Sequence, residues 1–157
     1  MSEHSQLVLT RIAQRGDAGH VAYVTINNPD KRNALGMPGK RAIASAFDAL
    51  SRDEALRAVV ITGTGERSFI NAEEAWRCGY LEKLVPAAEL DAVVEAWIES
   101  ILACGQRAVR LQKALVRDWE RMPVANAIQR GIQACVEARR TDEPRRMMAA
   151  FLERKKK

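Results

Sequence analysis

The chain has 157 residues, 47% of them hydrophobic and 29% charged, with a formal net charge of +5. This is the composition of an ordinary globular domain, and it excludes a disordered tail or a collagen-like repeat. No uncharged apolar stretch approaches the roughly 18 to 20 residues of a bilayer span. The opening run MSEHSQLVLTR lacks the basic and apolar regions of a secretory leader, so a soluble, cytoplasmic protein is expected.

The charge sits at one end. Residues 139–157 carry eight basic side chains (Arg139, Arg140, Arg145, Arg146, Arg154, Lys155, Lys156, Lys157) and three acidic ones (Asp142, Glu143, Glu153), a surplus equal to that of the whole chain. Such an end attracts nucleic acid, a membrane surface or a phosphorylated ligand, or is simply a solvated terminus. No RNA-binding aromatic motif, zinc-finger spacing or helix-turn-helix signal speaks for nucleic acid. Cys78, Cys104 and Cys135 are too widely spaced for a metal or disulfide pattern. They read as reduced thiols in helical segments, where a buried cysteine acts as a small apolar residue. No metal site is expected.

In chain order, residues 7–12 and 20–27 read as two strands around the turn cluster at 15–19, a hairpin. Asn28-Pro29-Asp30 breaks the second strand. A helix follows with Ile43, Phe47 and Leu50 on one face, Ala42, Ala46 and Ala49 close to the same side, and Pro38 in its first turn. Residues 56–62 form a β-branched run, ended by Gly63-Thr64-Gly65, that fits a strand buried on both faces. Strand, helix and strand make a βαβ unit, so its two strands should be parallel.

The remainder reads as helix. Asn71 can cap a short helix, Glu74 stands at the capping-box position, and Gly79 ends it. Residues 80–85 form a short extended piece before Pro86. Further helices are expected over 88–103, 106–120, 124–138 and 143–155. In the first, Leu90, Val94, Trp97, Ile98 and Ile101 have the spacing of a core-facing stripe.

Few residues suggest chemistry by themselves. Lys31 and Arg32, between a strand and a helix, could meet a phosphate, although taken alone a solvated turn explains them better. Gly63-Thr64-Gly65-Glu66-Arg67 lacks the spacing of a phosphate-binding loop, so nucleotide binding there is rejected. Glu73 and Glu74 point about 100° apart on a helix and serve capping better than acid–base work. His4 and His20 have no apparent partner, and nothing supports a Ser/His/Asp triad.

Taken together, the run Val24-Thr25-Ile26-Asn27-Asn28-Pro29 through Asn33-Ala34-Leu35, followed by the helix and Ala58-Val59-Val60-Ile61-Thr62-Gly63, resembles the start of the crotonase superfamily, the enoyl-CoA hydratase/isomerase proteins. Phe69-Ile70 resembles the approach to that family's active-site loop. Residues 71–79, Leu84-Val85-Pro86, Leu111-Gln112-Lys113-Ala114-Leu115 and residues 150–154 resemble its later segments, in the family's order. The resemblance implies an α/β, truncated crotonase-like fold: a small N-terminal mixed sheet with a βαβ unit over 1–70, then a C-terminal helical, oligomerisation-type region over 71–157.

One departure stands out. In the family, residues like Ser68-Phe69-Ile70 run on into an AGAD-like turn and further strands; here Ile70 joins Asn71. The family's middle part supplies the two N–H donors of an oxyanion hole and the glutamates that move protons. Losing one such donor typically costs about 2.7 to 4 kcal/mol, and losing the acid/base roughly another 10² to 10⁴ in rate. The resemblance therefore implies lost or strongly reduced hydration or isomerisation of enoyl-CoA thioesters, with no catalytic residue to name. What it leaves is part of a coenzyme A site: Lys31 and Arg32 in the first contacting loop, and Phe151 and Arg154 on the C-terminal helix near the adenine end. No cofactor beyond the coenzyme A thioester ligand is implied. The partners implied are acyl-CoA or CoA and further copies of the chain through the C-terminal helices, with neither nucleic acid nor membrane. The alternative is a non-catalytic helical interaction module or an internally deleted product.

Overall fold

The computed structural model describes residues 7–67 and 71–154. The chain divides into two compact units, Met1–Ile98 and Glu99–Lys157. His4, Phe69, Ile70 and the Ile70–Asn71 junction lie outside the described residues.

In the first unit, β1 (Val8–Gln14) and β2 (His20–Ile26) form the expected hairpin, with Val8 opposite Ile26 and Gln14 opposite His20. Its turn contains one 3-10 segment, Gly16–Ala18, and is closed by the Arg15 N–H donating to the Gly19 carbonyl at 2.8 Å. Helix α1 (Gly36–Leu50) then carries the chain to β3 (Leu56–Gly63), which pairs parallel with β2. The sheet order is β1-β2-β3. The βαβ unit is thus present, and the fold is mixed α/β.

Alternation along β2 decides the core. Ala22 and Val24 are fully buried on the face that takes α1, together with Val8 and Leu50; Ala42, Ile43, Ala46, Phe47, Leu56 and Val59 pack around them. Val21 is fully buried too, and alternation sets it on the opposite face. Ala49 departs from the expected stripe and is exposed. The β-branched run in β3 predicts cover on both faces, but only β2 is so enclosed. Leu56–Val60 are half-buried, and Ile61, Thr62 and Gly63 are exposed. The reason is position: β2 has a neighbour on each edge, whereas β3 is paired on one edge among the described residues.

Helix α2 (Ala72–Arg77) is capped by Asn71, whose side-chain oxygen accepts from the Glu73 N–H at 2.8 Å. The capped donor is one residue short of the Glu74 position that a capping box predicts. The helix ends in a Schellman motif: Gly79 adopts φ 72°, its N–H reaches the Trp76 carbonyl, and the Tyr80 N–H reaches the Ala75 carbonyl. Helix α3 (Ala87–Leu102) follows. Of its predicted stripe, Ile98 is buried and Val94 half-buried, while Leu90, Trp97 and Ile101 are exposed. Glu95 on α3 takes a two-point contact from the Arg15 guanidinium at 2.6 and 3.0 Å, and Arg15 also donates to the Tyr23 hydroxyl at 3.3 Å. The Arg11 guanidinium lies 4.2 Å over the same tyrosine ring.

The second unit holds α4 (Gln106–Trp119), α5 (Val124–Ala138) and α6 (Glu143–Arg154), in close agreement with the sequence pattern. Asp118 pairs with Arg130 at 2.8 Å, and the Trp119 indole N–H donates to the Ala127 carbonyl at 3.0 Å, closing the α4–α5 hairpin. The Glu143 carboxylate accepts from the Arg107 N–H at 3.0 and 3.1 Å, which places negative charge at the N-terminus of α4. Val124, Ile128, Ile132 and Val136 form an exposed stripe on α5. The sequence pattern puts each cysteine inside a helix and buried. Instead Cys78 is the C-cap of α2, Cys104 follows α3, and all three, Cys135 included, are exposed.

Candidate functional site

A cleft of about 550 Å³ opens beyond the C-terminal ends of β2 and β3. Its described lining is Pro29, Asp30 and Arg32 from one loop and Gly65, Glu66 and Arg67 from the other. Topology explains the pairing of loops. Two parallel strands joined by a helix end side by side, and open α/β sheets bind ligands just beyond such ends.

The first loop is tightly wound. Pro29–Lys31 makes a 3-10 turn, and Arg32 and Asn33 follow with left-handed backbones, φ 51° and 60°. Two consecutive non-glycine residues in this region are costly unless held. The Asn33 N–H donates to the Asn28 carbonyl at 2.8 Å, and the Asn28 side-chain amide donates to the Ala34 carbonyl at 2.7 Å. Asn33 then bridges the loops: its Oδ1 accepts from the Asn28 N–H at 3.1 Å, and its Nδ2 donates to the Thr64 carbonyl at 2.8 Å. On the far side the Thr64 N–H donates to the Ile26 carbonyl at 2.9 Å, extending the β2–β3 pairing into the loop.

Four charged residues line the cleft, Arg32 and Arg67 with Asp30 and Glu66. Guanidinium forks suit phosphate oxygens. Of the residues the sequence singles out, Arg32 lines the cleft, whereas Lys31 is exposed beside it and is not in the described lining. Phe151 is half-exposed on α6 in the second unit, and the side chain of Arg154, the last residue of that helix, lies outside the described residues. Sequence reasoning rejects residues 63–67 as a phosphate loop on their spacing, yet this segment forms the opposite wall. The available signal is the parallel pairing of β2 and β3, which makes the loops that leave them neighbours.

The one histidine described is not part of this cleft. His20 has a partner after all: its Nδ1 lies 2.9 Å from Asp53 Oδ2. The His20 contact, aided by the Ala55 N–H, holds the Asp53 carboxyl below its ordinary value against an opposing effect of burial. His20 begins β2 and the cleft lies beyond its other end, roughly 20 Å away for a seven-residue strand. The pair therefore fastens the end of α1 to the sheet. Among the described residues, no group of three or more His, Cys, Asp or Glu side chains could hold a metal ion.

No protein-family model matches the chain. It is 36% identical over 87 residues to the crotonyl-CoA hydratase of Syntrophomonas wolfei, a match covering 55% of this chain and 34% of that protein. It is 45% identical over 47 residues to the human mitochondrial Delta(3,5)-Delta(2,4)-dienoyl-CoA isomerase, covering 30% of this chain and 14% of that protein. The matched stretches thus span about a third or less of these curated relatives. In structure it is similar to an enoyl-CoA hydratase from Mycobacterium smegmatis, with a TM-score of 0.77, 17% identity, and coverage of 94% of this chain and 96% of that chain. That likeness establishes a shared fold.

Proposed function

We propose that this chain, whose curated and structural neighbours point to the crotonase superfamily of enoyl-CoA hydratases and isomerases, binds coenzyme A or its thioesters through the Arg32 cleft while its own hydration or isomerisation chemistry is lost or strongly reduced. The observation that carries the reading is the cleft itself, with Arg32 and Arg67 on two stapled loops at the ends of parallel strands. In this reading the two guanidinium groups meet phosphate oxygens and Lys31 adds charge at the rim. The resemblance adds Phe151 and Arg154 as candidates for the adenine end of the ligand. Reduced chemistry follows from the sequence: Ile70 adjoins Asn71 where the resemblance calls for the segment that supplies oxyanion donors and proton-moving glutamates. Among the described residues no helix is long and apolar enough to cross a membrane; a cytoplasmic location is part of the same proposal.

Two measurements test it together. Titration calorimetry with coenzyme A should give measurable heat below millimolar ligand. A hydration assay with a short enoyl-CoA should give rates far below those of an intact hydratase. No heat at millimolar ligand removes the binding reading, and brisk turnover removes the claim of lost chemistry.

A second reading is favoured by a separate observation. The Val124, Ile128, Ile132 and Val136 stripe is exposed, and its first three residues line a groove of about 620 Å³ together with Trp119 and Met122. In that reading the helical unit is a non-catalytic association module joining further copies of the chain.

A further inference from the structure

The two walls of the cleft are carried by segments 31 residues apart in sequence, measured from Asn33 to Thr64, and each belongs to an exposed loop. Something must fix their spacing if a ligand is to meet both. Asn33 has the means. Its left-handed backbone, φ 60°, is one that asparagine tolerates better than most residues. Its amide is used at both ends, Oδ1 toward Asn28 in its own loop and Nδ2 toward Thr64 in the other. The opposite wall is shaped to receive it. A Cβ at Gly63 would come within 2.5 Å of Asn33 Nδ2 and 3.1 Å of its Cγ, so a side chain there would expel the amide.

We infer that Asn33 is the positioning residue of this cleft: seated against the bare backbone of Gly63, its amide sets the separation of the Arg32 and Arg67 loops and so controls coenzyme A affinity without touching the ligand. This rests on the coenzyme A reading. Asn33 is not in the described lining of the cleft, and its amide is engaged on Asn28 and Thr64, so its effect on a ligand passes through the loops it joins.

The test uses the full chain and coenzyme A as the probe. Asn33→Gly keeps the left-handed backbone and removes both side-chain bonds. Asn33→Asp keeps the acceptor for the Asn28 N–H but sets a carboxylate oxygen against the Thr64 carbonyl. Asn33→Gly should weaken coenzyme A binding about tenfold by calorimetry, the scale of one or two lost hydrogen bonds, and Asn33→Asp by at least as much, because its carboxylate also repels the anionic ligand. The exchange protection of the β2 amides should stay as in the wild type. Exchange at the Asn28 amide should rise in Asn33→Gly and stay slow in Asn33→Asp. Gly63→Ala, which leaves Asn33 in place but displaces its amide, should weaken binding likewise, and it replaces the Asn33 variants if they fail to fold. Affinities within twofold of wild type, with faster exchange at Asn28, would show a bond that is merely structural and overturn the inference. Absence of coenzyme A binding by the wild-type chain would instead remove the underlying reading, and the inference with it.

Discussion

Replacing Leu50 by alanine tests whether α1 is held to the sheet as described. Leu50 is 7% exposed and meets Val8, Ala22 and Val24 where the helix ends. The substitution removes three carbons, worth about 2.4 kcal/mol at roughly 0.8 kcal/mol each. A residual void of roughly 50 Å³ adds about 1.2 kcal/mol at ~24 cal/mol per Å³. The expected loss is therefore about 3.5 kcal/mol, a large share of the roughly 5 to 15 kcal/mol available to a domain. Urea unfolding followed by far-UV circular dichroism measures it, with Ile128→Ala as the control. Ile128 is 60% exposed, so its truncation should change stability by no more than about 0.5 kcal/mol in a dilute monomer. A Leu50→Ala loss below about 1 kcal/mol would refute the packing of α1 on β2, and with it the βαβ geometry that brings the two cleft loops together.

Two further outcomes follow from the same geometry. Because the Asp53 carboxyl is held below its ordinary value by His20, its contribution to stability is present above the usual carboxylate range and is lost as pH falls through the lowered value. The gap in urea midpoint between the wild type and Asp53→Asn should therefore close as the solution is acidified below about pH 4; a gap independent of pH would show that the pair contributes nothing through charge. In the cleft, Arg67→Ala should weaken coenzyme A about fivefold, an exposed charge-assisted contact being worth roughly 1 kcal/mol, while Lys31→Ala stays within twofold because Lys31 is outside the lining. Equal effects would shift the ligand out of the cleft and onto the rim.

Local chemistry is what the sequence made readable. Pro123 and the spacing of apolar residues give α5 its observed bounds, Val124–Ala138. The turn residues at 15–19 give the hairpin, and Gly79 gives the end of α2. These features depend on neighbours within a few positions. The resemblance to enoyl-CoA hydratases and isomerases was readable for the same reason, since short runs on either side of residue 70 carry it. The rest depends on distant pairings. His20 finds Asp53 across 33 positions because β2 begins where α1 has just ended. Asn33 finds Thr64 only once β2 and β3 lie parallel. The sequence pattern overstates burial in β3 and along α3 because the periodicity of a strand or helix shows which face is apolar, not whether another element covers it.

That distinction sets the terms for the exposed stripe on α5. Val124, Ile128, Ile132 and Val136 are 77, 60, 54 and 55% exposed. A fully buried side chain of this kind gains about 1.5 to 3 kcal/mol, so covering the exposed part of four gives about 5 kcal/mol per copy. Two copies meeting stripe to stripe would gain about 10 kcal/mol, against an association cost of roughly 4 to 15 kcal/mol. The stripe alone therefore supports weak, concentration-dependent association, and tighter assembly needs Trp119 and Met122 as well. Light scattering across a range of concentrations should show the mass rising, and Ile132→Asp, which sets a charge in the middle of the stripe, should hold it at one copy. A mass of one copy at every concentration would refute the association reading. A mass of several copies unmoved by Ile132→Asp would place the contact on another surface.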